Sequence, residues 1–194
     1  MKTLLISAAL AASLLAPAAA SAQALPAAVI TVVDIERVTS QCTACKTAQA
    51  ALRSQQTALQ TREKTLSGPL ETEQKSIQAA LDALKGKEPD AALQARAKAW
   101  DAKRQQAAQE LTRQQQQFQR NVQYVQKQVA DKLGPIYQQV MQRRGANVML
   151  EMGSTLATSA SIDVSNDVLA ALNTGLPSIR TVAPAQPAQQ PQGR

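Results

Sequence analysis

The chain has 194 residues, of which 2% are aromatic, with no histidine, two cysteines and a formal net charge of +7 at pH 7. Histidine is the commonest general base and the commonest metal ligand, so its absence excludes His-dependent triads and most transition-metal sites. No Gly-rich phosphate loop of the G-x-x-x-x-G-K-S/T type occurs either, and no catalytic, cofactor-binding or metal site is expected.

Met1-Lys2-Thr3 gives a short positive start, Leu4 to Leu15 is largely apolar, and small residues surround Ala22 and Ala24. This pattern predicts a signal peptide over 1–22, cleaved after 22 or 24, and an exported protein. No later stretch approaches the ~20 apolar residues of a spanning helix, and no cysteine marks the cleavage site for lipid attachment.

Ala27 to Val33 is β-branched and apolar after Pro26, which reads as a buried strand. Asp34 is placed to cap a short helix carrying Ile35 and Val38. From Lys46 the composition turns to Gln, Ala, Lys, Arg and Glu with spaced apolar residues. Val38, Cys45, Leu52, Leu59 and Leu66 recur every seven positions, then Leu70, Ile77 and Leu84 continue the stripe. This is one seam of a long coiled-coil-like helix. The second seam is poorly filled by Ala48, Gln55 and Gln56, which favours a loosely packed antiparallel partner. Ser67-Gly68-Pro69 reads as a kink or hinge, or alternatively as a break between two helices.

Lys85-Gly86-Lys87-Glu88-Pro89-Asp90 is a clear turn. The returning helix carries Leu93, Trp100, Ala107, Leu111 and Phe118, then Val122, Val125, Val129, Leu133, Ile136 and Val140. Gly134-Pro135 predicts a second kink. Asn147 to Met152 reads as a second strand and Thr155 to Ala160 as a third. Ser165-Asn166-Asp167 is expected to cap a helix through Leu172. The Pro-, Gln- and Ala-rich stretch 177–194 is expected to be a disordered tail.

The expected fold class is therefore α+β, mostly α. Segments 25–45 and 146–176 form a small β-containing body and oligomerisation module, too small to fold apart. The long antiparallel helical hairpin 46–145 is inserted as an arm with its tip near 85–90. That arm holds the basic character, with 17 Lys and Arg against 9 Asp and Glu. Segregated charge steers anionic partners.

The arrangement resembles the Skp (OmpH-like) family of periplasmic chaperones. The residues that carry the resemblance are Val29-Ile30-Thr31-Val32-Val33-Asp34, Pro135-Ile136-Tyr137, Asn147-Val148-Met149-Leu150-Glu151 and the run from Ile162 to Asn173. The resemblance implies a homotrimer whose arms enclose a cavity. Unfolded outer-membrane proteins would be held there without nucleotide, in the periplasm, with transient contact at the outer-membrane surface. It supplies no catalytic residues. Candidate client-steering charges near the tip are Lys85, Lys87, Arg96, Lys98, Lys103 and Arg104; the plainer alternative is that they only solubilise the arm.

Cys42-Thr43-Ala44-Cys45 is a CxxC at a helix start and departs from the family pattern. In an exported protein it points to a disulfide staple, with a redox-active dithiol as the sharper alternative. Zinc would need two further ligands, and neither histidine nor another cysteine exists. The main rival to a chaperone is a structural or tethering coiled-coil protein of the envelope. A basic nucleic-acid binder is disfavoured by the signal peptide and by the lack of a base-stacking platform.

Overall fold

Ile30–Val33 forms strand β1, whose last three residues are buried. The computed structural model describes residues 26–185. The expected signal peptide and the end of the tail lie outside the described residues. Asp34 turns the chain from β1 into helix α1, Ile35–Gln41, and its carboxylate accepts the Arg37 N–H at 2.8 Å. Helix α2 runs Thr43–Ala83, α3 runs Ala91–Arg144, β2 is Val148–Glu151 and α4 is Ser165–Gly175.

At 1.5 Å per residue, α2 is about 60 Å long and α3 about 80 Å. Gln55 faces Asn121, Arg62 faces Glu110, Leu70 faces Trp100 and Glu73 faces Arg96. The partner number falls on α3 as it rises on α2, so α3 returns along α2. The turn between them places Lys85 and Gly86 at positive φ, 47° and 87°. Asp90 then caps α3 by accepting the Leu93 N–H at 2.8 Å. At the other end Gly145 closes α3 in the left-handed conformation, φ 64°, which glycine adopts without a Cβ penalty.

Neither proline breaks its helix. Pro69 lies inside α2 and Pro135 inside α3. A helical proline deprives the carbonyl four residues earlier of its donor. Here both prolines are exposed, as are Thr65 and Asp131, whose carbonyls are the ones deprived. Water can satisfy them, so the break weighed at Ser67-Gly68-Pro69 does not occur.

The sheet has two strands among the described residues, paired in parallel with Ile30 opposite Val148 and Val33 opposite Glu151. The third strand expected over Thr155–Ala160 is absent. Met152–Ser154 and Ala160–Ile162 are 3₁₀ turns instead, and only one bridge, Val32 to Asp163, forms on that flank of β1. Asn147 fixes the register from outside the ladder: its side chain accepts the Val29 N–H and donates to the Ala27 carbonyl, both at 2.8 Å.

The core sits where the helices meet the sheet. Val33, Val38, Cys42, Leu133, Ile136, Val140, Val168 and Leu172 pack together there, joined by Leu176. The seam continues outward along the arm in thinner form. Leu52, Leu59, Leu66 and Leu70 are only half-buried, while Ala48, Ile77 and Ala107 are buried. The expected disorder from Pro177 also fails over its first residues. Ile179 packs against the core, and the chain from Arg180 to Ala183 is hydrogen-bonded to side chains of α2 and α3.

Candidate functional site

A polar knot joins the two ends of the chain and fixes the root of the arm. The Ser165 hydroxyl donates to Asp163 Oδ1 at 2.6 Å and accepts the Asp34 N–H at 2.8 Å. The Arg37 guanidinium donates to Asp163 Oδ2 at 2.7 Å. Burial alone would push the Asp163 carboxyl up, but the Ser165 hydroxyl and N–H and the Arg37 charge together hold it below the usual carboxylate range. Ser165 is the first residue of α4 rather than its cap, and its N–H is accepted by Asp163 Oδ1 at 2.8 Å. Asp167 pairs with Arg144 at the end of α3, at 2.6 Å.

Cys42 and Cys45 are joined as a disulfide across the α1–α2 junction, their Cα atoms 5.1 Å apart. Cys42 is fully buried in the core and also caps α2, its Sγ accepting the Cys45 N–H at 3.2 Å. Thr43 N–H is satisfied separately, by Asn173 of α4 at 2.9 Å. The half-buried Cys45 faces an open cleft of about 610 Å3 at the root of the arm. Leu52, Val122, Val125, Val129 and Leu133 line the same cleft. The polar side chains of Glu36, Thr39, Ser40, Gln49 and Gln126 complete its lining.

The six candidate steering residues divide into two groups. Arg96 is clasped by Glu73 at 2.5 Å and also donates to Ser76, so its charge is spent on holding α2 against α3. Arg104 pairs with Asp101 at 2.8 Å and lies 5.6 Å over the Trp100 ring. Those hydrogen bonds from arginine hold the Glu73 and Asp101 carboxyls below their ordinary range. Lys85, Lys87, Lys98 and Lys103 are exposed, and none of them joins an ion pair among the described residues. These four lysines lie in the tip-side half of the arm beside Glu71, Asp82, Glu88 and Asp90, which join no ion pair among the described residues either, so the positive surplus of the arm lies outside its tip. A further clasp, Arg62 to Glu110 at 2.6 Å, lies nearer the middle.

Sequence reading missed the amides. Gln55 looked like a poor seam residue, yet it accepts from Asn121 Nδ2 at 2.8 Å, and Asn121 is buried at 5% exposure between the helices. A buried amide at a seam position is a signal in its own right, because such a group must find partners. Asp163 was missed for a different reason: it lies 126 residues from Arg37 in sequence.

The site is thus a slender two-helix arm on a small parallel sheet with a cleft at its root, and no metal-ligating cluster occurs among the described residues. The family model described as outer membrane protein (OmpH-like) matches residues 29–172, and the chain belongs to that family. It is not a family of enzymes. No curated protein matches the chain. Among solved structures, an OmpH-like candidate outer membrane chaperone from Caulobacter crescentus CB15 shares its fold. The TM-score is 0.68 at 19% identity, covering 86% of this chain and 96% of that one. No described helix is long and apolar enough to cross a membrane.

Proposed function

We propose that the protein is an ATP-independent holding chaperone of the periplasm that binds unfolded outer-membrane proteins between basic helical arms. The carrying observation is the arm itself: a long helical pair with a thin apolar seam, a partly apolar cleft at its root and a surplus of positive charge over 46–145. Unfolded outer-membrane β-barrel proteins expose alternating apolar side chains and unpaired strand edges, which drive aggregation. Many weak apolar contacts, gathered by a long-range positive field, hold such chains without committing them. Release then needs no nucleotide.

The body supports a homotrimer. β1 is flanked by β2 on one side and by the Asp163 bridge on the other, so the outer edge of β2 is left open. Val29, Ile30 and Leu150 expose 47%, 42% and 41% of their surface at the same sheet. Open edges and exposed apolar strand residues favour pairing with further copies. Within this reading the Cys42–Cys45 bond is a staple where the arm leaves the body.

The test is dilution of a urea-denatured outer-membrane β-barrel into buffer with and without the protein, in the absence of nucleotide, followed by light scattering. Suppressed scattering at molar excess of the protein is expected. Unchanged scattering refutes the holding role and leaves a tethering role in its place.

A further inference from the structure

The arm grips a piece of extended polypeptide in this structure, and it does so through the main chain. Gln128 donates from Nε2 to the Arg180 carbonyl at 2.8 Å and accepts the Arg180 N–H at Oε1 at 3.0 Å. Those are the two bonds that a residue in a neighbouring strand would supply. Gln55 Nε2 donates to the Thr181 carbonyl at 3.1 Å, and Asn121 Oδ1 accepts the Ala183 N–H at 2.9 Å. The amides are held ready by one another, since Asn121 Nδ2 donates to Gln55 Oε1 and Gln117 Nε2 to Asn121 Oδ1, both at 2.8 Å.

None of these bonds consults a side chain of the tail. Arg180 and Val182 point their bulk toward solvent, Val182 at 64% exposure, and Ile179 is the tail residue seated on the core. A row of fixed amides that reads only N–H and C=O groups accepts any chain able to lie extended. Main-chain pairing gives affinity without sequence preference. An unfolded β-barrel protein offers such groups throughout its length, because it lacks the ladder that would satisfy them.

We propose that the amide row Gln55, Asn121 and Gln128 is a docking site for extended main chain of an unfolded polypeptide, and that residues 180–183 of the protein occupy it as an internal competitor. This rests on the holding role proposed above. The tether keeps the competitor at high local concentration. Its bonds are uncharged and partly open to water, so each is individually weak and an arriving chain can displace it. A site filled for most of the time shows an affinity lowered by the fraction that is free. The tail thereby sets a threshold below which weakly exposed chains are not retained.

The experiment compares the full chain with a variant truncated after Ile179, which keeps Leu176 and Ile179 in the core. Binding of a fluorescently labelled, urea-denatured outer-membrane β-barrel is measured by anisotropy. The truncated form is expected to bind about three- to tenfold more tightly. Arg180→Pro with Ala183→Pro in the full chain removes two of the tail's donors at constant length and is expected to reproduce that gain. A labelled peptide of residues 177–194 is expected to bind the truncated protein and to be displaced by the denatured barrel. Gln55→Ala with Gln128→Ala is expected to weaken both ligands severalfold. Equal, measurable affinity of the full and truncated chains overturns the inference alone. Binding of the barrel to neither form overturns the holding role instead.

Discussion

The root of the arm and its outer half are built from the same two helices, yet they are held by different forces. At the root, Val38, Val140, Val168 and Leu172 are at or below 1% exposure, and a disulfide and the Asp34–Arg37–Asp163–Ser165 knot close the same region. Along the arm the seam residues are half-buried leucines, and the helices are clasped by exposed arginine–carboxylate pairs. Such pairs contribute little in water and less in salt. Stability is therefore concentrated at one end. The other end keeps helical form while remaining able to separate, bend or part from its neighbour locally. Under the proposed holding role, a surface that fits many unfolded chains has to be adaptable, and the frame that presents it must not be.

This contrast can be broken by substitution. Leu172→Ala at the root removes a fully buried side chain and should cost about 3 kcal/mol in urea unfolding; a loss below 1 kcal/mol would show that the root is not the stabilising end. Cys42→Ser with Cys45→Ser removes a short covalent loop and is expected to cost about 2 kcal/mol, with client binding unchanged if the bond is a staple. Leu66→Ala, half-buried in the outer seam, should cost about 1 kcal/mol or less by the apolar area involved, yet it should raise amide exchange on both sides of Pro69.

A smaller effect separates the ends by pH. The Asp163 carboxyl is held below the ordinary range in the folded protein, whereas the unfolded chain titrates near about 3.9. The knot's contribution is complete above that unfolded value and is lost as pH falls through the lower folded one. Asp163→Asn should therefore flatten the acid limb of thermal stability below about pH 4. Acid sensitivity unchanged by that substitution would remove Asp163 from the account.

Much of the frame was readable from the chain. The seven-residue recurrence of Leu52, Leu59 and Leu66, and the denser stripe ending in Val140, announce a helical pair better packed near the body, because apolar spacing is dictated by which face must be covered. The turn at Gly86 and the Asp34 cap were legible for the same local reason. What escaped notice depends on contacts between distant residues. Thr155 to Ala160 looks strand-like by composition, but it pairs with no strand, and 155–159 runs irregularly between two 3₁₀ turns. Pro69 reads as a kink or, alternatively, a break, and only its exposure shows why the helix runs on through it. The tail looks disordered because nothing in its side chains announces the bonds it makes; the specificity lies in Gln55, Asn121 and Gln128, residues that resemble ordinary solubilising glutamines and asparagines.

The most direct test of a firm root bearing an adaptable, chain-binding arm is amide hydrogen exchange followed by mass spectrometry, with and without a urea-denatured outer-membrane β-barrel diluted into the sample. The account predicts slow exchange at 32–42, 133–144, 148–151 and 164–172 in both samples, and faster exchange over 50–125 that slows when the barrel is bound. Exchange that is equally slow along the arm and the root, or protection by the barrel confined to the root, would contradict it.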